Sequence, residues 1–194
     1  DGFSYRLVPI RTEESPDGEL GMVNADELYS IVKNYRWGNF KDLNTHFDET
    51  CTQNIVGYRS SASRAAEALT LKGEKQKAIE LLDLVNREIP VVKYNDPRSL
   101  SSIVYAYIVA GQEQKGLKLA DELKKGIFQE YDYYTKLSPK FQVYAARQMK
   151  TKPMEYSLVV GAVSDAYNKI GQKEKGYQYL VNSLNIIDKR FDTF

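Results

Sequence analysis

Apolar residues recur every three or four positions along most of this chain, with polar residues filling the intervals. In NADELYSIVKNYRW, Leu28, Ile31, Val32 and Tyr35 fall on one helical face. Asn24 stands where it can cap that helix, and Glu27 follows three residues on, a capping-box-like start. A long helix is expected from about Asp48 to Leu71. Further along, EQKGLKLADELKKGIFQEYDYYTKL reads as an extended helix with Gly126 as a candidate break. SPKFQVYAARQM reads as a separate short helix, capped by Ser138 with Pro139 in its first turn. Only residues 1–22 lack the helical period: FSYRLVPI reads as extended and EESPDGELG as a turn. That segment is expected to form an irregular or short β arm laid on the helices.

The chain repeats itself. AYIVAGQEQKG begins at Ala106 and AYNKIGQKEKG at Ala166, and a weaker copy upstream keeps Ala68, Leu69, Gly73 and Lys77-Ala78 at the same spacing. In each copy an apolar helical stretch stops at a glycine, the residue best suited to the left-handed conformation that ends a helix. A new helix is expected within two or three residues. Five positions after the glycine comes a small residue, Ala78, Gly116 or Gly176, where a bulky side chain would hold two antiparallel helices apart. The copies therefore predict helical hairpins with Gly73, Gly111 and Gly171 at their turns.

This pattern resembles the tetratricopeptide repeat, a unit of about 34 residues that pairs two helices around such small residues. The resemblance runs through Ala66, Leu69, Gly73, Ala78, Leu82 and Pro90 in the first copy. The second carries Ile103, Tyr107, Gly111, Gly116, Ala120 and Leu123, and the third Val163, Tyr167, Gly171, Gly176 and Leu180. It implies an all-α helical-hairpin array over residues 23–194, with units at about 59–92, 97–130 and 157–190. The spacing departs from a tandem repeat, at 38 residues from Gly73 to Gly111 and 60 from Gly111 to Gly171. VVKYND, a loop before a helix start at Asp96-Pro97, and SPKFQVYAARQM are the expected insertions. In such arrays the first helix of each pair lines a concave surface. The positions so implied are Ser63, Glu67 and Thr70, then Arg98, Ser101 and Tyr105, then Asp165, Asn168 and Lys169. A partner protein or peptide, or a glycan, is the expected occupant.

Composition adjusts this picture only at its edges. Of the 194 residues, 42% are hydrophobic and 27% charged, which fits a globular chain with a sizeable core. No apolar run approaches the roughly 20 residues that cross a bilayer. The net charge of +1 lacks the footprint of a nucleic-acid binder. The chain opens at Asp1 without a leader, as expected of a processed or excised piece.

Candidate chemistry is sparse. Cys51 and His46 are the only residues of their kinds, so one chain can form no disulfide and no Cys/His zinc cluster. A nucleophile and base pair would need an orienting group and an oxyanion site that the sequence does not identify; a small buried thiol and a surface imidazole are the plainer reading. The adjacent carboxylates Asp48 and Glu49 read as a capped helix start, against the alternative of an acid/base pair or metal site. Of the fifteen tyrosines, Tyr107 and Tyr167 read as core, and the cluster Tyr131, Tyr133 and Tyr134 as packing, with stacking on sugars or bases the alternative. No cofactor or metal is expected.

Three stretches outside the repeats, DGFSYRLVPI, NYRWGNF and HFDETCTQNIVGYRSSASRAAEAL, extend the resemblance. With the repeats, they are similar to the C-terminal region of the DUF2723 family of large bacterial membrane proteins, found widely in Bacteroidetes. Trp37, Gly38, Asn39, Asp48, Glu49 and Arg59 are the positions that match. The membrane part of that family resembles protein O-mannosyltransferases. The resemblance thus implies a non-catalytic scaffold domain tethered to a glycosyltransferase-like protein of the inner membrane, on the periplasmic side; a glycan-binding or carbohydrate-processing accessory domain is the alternative.

Overall fold

A computed structural model of the chain describes Pro9 and residues 21–191. Every regular element among the described residues is an α-helix: α1 (Ala25–Lys33), α2 (Glu49–Leu71), α3 (Lys75–Glu88), α4 (Pro97–Val109), α5 (Glu113–Thr135), α6 (Pro139–Lys169) and α7 (Lys173–Phe191). They gather into two compact units, Asp1–Tyr94 and Asn95–Phe194. No described helix is long and apolar enough to cross a membrane. The arm expected over residues 1–22 lies outside the described residues, apart from Pro9, Gly21 and Met22.

In the first unit α2 and α3 form a hairpin, and α1 packs on both. The buried face of α3 is Ala78, Leu81, Leu82 and Val85, spaced i, i+3, i+4, i+7. In the second unit α4 and α5 form one hairpin and α6 and α7 another, with α6 also packed on α4 and α5. Leu100, Ile103, Val104, Tyr107 and Ile108 supply the core from α4, and Tyr156, Val159, Val160, Val163 and Tyr167 supply it from α6.

The three hairpin turns are built alike. Gly73, Gly111 and Gly171 have φ of +84°, +89° and +80°. The next residue's N–H reaches back five positions in each: Glu74 to the Leu69 carbonyl, Gln112 to Tyr107 and Gln172 to Tyr167, all at 2.8 Å. The glycine's own N–H bonds the carbonyl three positions back, at 2.9 to 3.1 Å. This double closure satisfies carbonyls that the helix end would otherwise leave bare. The small residues then face the partner helix. A Cβ on Gly116 would stand 2.6 Å from Ile108 Cγ1, and one on Gly176 would stand 2.9 Å from the Ser164 carbonyl oxygen.

Helix starts follow the expected caps at Asn24, Asp48 and Asp96, whose side chains accept from the N–H groups of Glu27, Cys51 and Ser99. Two expectations about helix continuity are corrected. α5 runs unbroken through Gly126. SPKFQVYAARQM is not a separate helix: α6 begins at Pro139 and runs 31 residues to Lys169, with Pro153 inside it. Proline deletes one backbone donor and crowds the preceding turn, so tertiary ties must hold the helix together there. Lys152, 7% exposed, donates to Glu130 on α5 at 2.5 Å and to Glu155 at 2.9 Å. Ala145 and Met149 are buried with Tyr131, against which Leu137 and Phe191 also pack. α1, conversely, ends at Lys33, earlier than the apolar pattern through Tyr35 suggested.

Candidate functional site

The residues implied by the family resemblance converge in the first unit, most of them as framework. Arg59 is fully buried on α2, and its guanidinium donates to the Tyr94 carbonyl at 2.7 Å and the Ile89 carbonyl at 3.1 Å. Ile89 is the C-cap of α3, so the cation sits where the helix dipole and its bare carbonyls favour one. Asp48 caps α2: its carboxylate accepts from the Cys51 N–H at 2.7 Å, and that bond holds its pKa below the usual carboxylate range. Glu49 adds a second acid to the first turn. Asp48 in turn pushes the Cys51 thiol up, assisted by desolvation, which is opposite to the shift that activates a nucleophilic cysteine. Cys51 is half-buried and His46 exposed. Among the described residues, no group of three His, Cys, Asp or Glu side chains could hold a metal ion.

Trp37, Gly38 and Asn39 form the loop after α1. Trp37 is buried and meets Tyr35 and Tyr58 edge-on, with ring centroids 5.1 and 6.1 Å apart. Gly38, at φ +61°, supplies the left-handed turn that reverses the chain after the indole. Phe40 then packs on Phe47, Tyr58 and Tyr94. The Lys93 ammonium ties the following loop by donating to the carbonyls of Asp42 and Thr45.

Beside this loop a cleft of about 390 Å³ opens, lined by Lys33, Tyr35, Arg36, Trp37, Gly38 and Lys41 and, from α3, by Leu84, Arg87 and Glu88. Four cations face one carboxylate. Glu88 is already engaged by Lys41 at 3.5 Å and by Arg87 at 3.0 Å. Lys33, Leu84 and Arg87 also line a second cleft of about 300 Å³ that reaches Tyr29, Glu80 and Leu81. There the Tyr29 hydroxyl donates to Glu80 at 2.5 Å, which lowers the Glu80 pKa and raises that of the phenol. The arrangement suits an anionic group at the Trp37 end and a less polar portion against Leu81 and Leu84.

The concave-surface residues divide between the two units. Ser63, Glu67 and Thr70 share a face of α2, but Ser63 is buried, and its hydroxyl and that of Thr70 donate back to the carbonyls of Ser60 and Ala66. Ser101 does the same on α4, donating to Pro97 at 2.6 Å. Arg98, Asp165, Asn168 and Lys169 are exposed and Tyr105 is half-buried, Arg98 and Tyr105 on α4 and the other three on α6. Tyr107 and Tyr167 are core residues, and the Tyr167 hydroxyl donates to Glu113 at 2.9 Å. The tyrosine cluster splits: Tyr131 is buried against Phe191, whereas Tyr133 is 62% exposed.

The cationic cleft was not found from sequence. Lys33 and Arg36 lie some fifty residues before Arg87, and only the packing of α1 on α3 brings them to one opening. Comparison with known proteins returned nothing: no family model, no curated protein and no solved structure matches this chain.

Proposed function

We infer that this chain is a non-catalytic binding domain built on tetratricopeptide-like helical hairpins. On the resemblance set out above, it serves as the interaction or scaffold part of a DUF2723-type, glycosyltransferase-like membrane protein with this domain on the periplasmic side. The observation that carries the binding role is the cleft beside Trp37, where Lys33, Arg36, Lys41 and Arg87 surround a single, already engaged carboxylate. An excess of fixed cations beside a partly apolar wall favours a peptide or protein segment that brings acidic side chains. The three matching hairpin turns support the array reading. The concave positions Arg98, Tyr105 and Asn168 remain the second proposed contact surface.

The alternative, a glycan-binding or carbohydrate-processing accessory domain, is favoured by one feature: Tyr35 and Trp37 line the same cleft and could pack on a sugar ring. Titration separates the two readings. Trp37 is the only tryptophan, so its fluorescence can follow acidic peptides, neutral peptides and acidic oligosaccharides in turn. The peptide reading expects saturable response to acidic peptides, abolished by Lys33→Glu with Arg87→Glu. A response to oligosaccharides alone supports the glycan reading, and no response to either refutes the cleft as the site.

A further inference from the structure

The first half of α6 carries charge and apolar surface that neither the core nor the hairpins use. Between Lys136 and Lys150 stand four cations, Lys136, Lys140, Arg147 and Lys150, with no Asp or Glu. All four are exposed. A local charge of +4 is a strong asymmetry in a chain whose net charge is +1. On the same stretch Phe141, Val143 and Tyr144 are 56%, 75% and 75% exposed.

Helical spacing organises these side chains. Lys140, Tyr144 and Arg147 follow one another at four and three residues, as do Val143, Arg147 and Lys150, so they share the outward half of the helix. Ala145 and Met149 face the opposite way, into the cluster around Tyr131. The acids of the adjoining part of α5 are engaged by other cations: Glu130 by Lys152 and Asp132 by Arg190. They do not neutralise the row.

We propose that this face of α6 docks on a membrane surface bearing anionic lipid headgroups. Lys140, Arg147 and Lys150 meet the phosphates, and Val143 and Tyr144 enter the headgroup boundary. Basic side chains beside exposed aromatic and aliphatic ones are what an interfacial helix needs, because electrostatic attraction and apolar burial add. Tyrosine fits such a boundary through its apolar ring and polar tip. One small ligand would meet only part of so long an exposed row, whereas a headgroup layer meets all of it at once. The proposal stands independently of the cleft in the first unit.

Flotation of the full chain with phosphatidylcholine vesicles, with and without phosphatidylglycerol, tests it. Binding is expected only with phosphatidylglycerol, and it should weaken as salt rises. Neutralising two cations, Arg147→Gln with Lys150→Gln, should lower the vesicle partition coefficient roughly 30-fold. Val143→Ser with Tyr144→Ser should also weaken it, leaving the salt dependence in place. Both pairs are solvent-exposed, and circular dichroism verifies that each variant is folded. No binding to anionic vesicles, or double variants that bind like the wild type, overturns the proposal. Binding to soluble polyglutamate without binding to vesicles also overturns it, and assigns the face to an acidic protein instead.

Discussion

Replacing Gly116 by alanine pits two effects of similar size against each other. In an unconstrained helix interior the change stabilises by about 1 kcal/mol, because glycine loses more backbone freedom on folding. At this position the new Cβ would lie 2.6 Å from Ile108 Cγ1, 3.0 Å from the Val104 carbonyl oxygen and 3.3 Å from Ile108 Cδ1. Carbon atoms rest comfortably at about 3.5–4.0 Å, so the overlap with Ile108 is close to 1 Å. Ile108 is 1% exposed and β-branched, with one favoured rotamer in a helix, and the Val104 oxygen belongs to backbone. α4 and α5 must therefore part, at an overpacking cost of about 1–3 kcal/mol. The net expectation is a loss of about 1 kcal/mol for Gly116→Ala, and roughly 3 kcal/mol for Gly116→Leu. Gly57 is the control: it lies within α2, is exposed, and a Cβ there meets nothing within 4 Å. Gly57→Ala should stabilise by about 0.5–1 kcal/mol. Urea unfolding followed by far-ultraviolet circular dichroism measures both. A Gly116→Ala variant as stable as the wild type would refute the close packing of this hairpin.

Three further outcomes follow from the geometry. Arg59→Met removes the guanidinium from the Ile89 and Tyr94 carbonyls and should destabilise the first unit by about 3 kcal/mol; the urea midpoint of Trp37 fluorescence should fall, and an unchanged midpoint would show that the clamp is dispensable. Gly111→Ala forces a side chain into φ of +89° and should cost about 1–2 kcal/mol, although a Cβ there meets no neighbour within 4 Å, so a neutral result would contradict the strain argument. Glu113 accepts from Lys175 and Tyr167, which together hold its folded pKa below the ordinary value. Its contribution is therefore present above the unfolded pKa of about 4.3 and is lost as pH falls through the lower folded value. Wild type should lose more stability than Glu113→Gln between pH 6 and pH 3, a range on the order of the carboxylate titration, and parallel losses would sink the idea.

What could be read from the sequence was local. Gly73, Gly111 and Gly171 announced their turns because a left-handed residue and its reach-back hydrogen bonds involve only six consecutive positions. Asn24, Asp48 and Asp96 announced helix starts for the same reason. SPKFQVYAARQM read as a separate short helix because a local reading says nothing of Lys152, Glu130 and the Tyr131 cluster, which hold α6 together through Pro153. Ser63, Thr70 and Ser101 were legible as polar residues at helical spacing, but a serine or threonine that bonds its own helix has the same spacing as one that faces a ligand. The cationic cleft depends on α1 meeting α3, and no local pattern encodes that meeting. The charge of α6 was hidden differently, since a total of +1 averages over the row from Lys136 to Lys150.

The unbroken course of α6 also bears on cooperativity. Repeat arrays commonly unravel one unit at a time, because each unit touches only its neighbours. A single rod that packs on α4, α5 and α7 removes the joint at which such stepwise loss could stop. Amides along α4 to α7 should therefore share one opening free energy in native-state hydrogen exchange, as a single foldon.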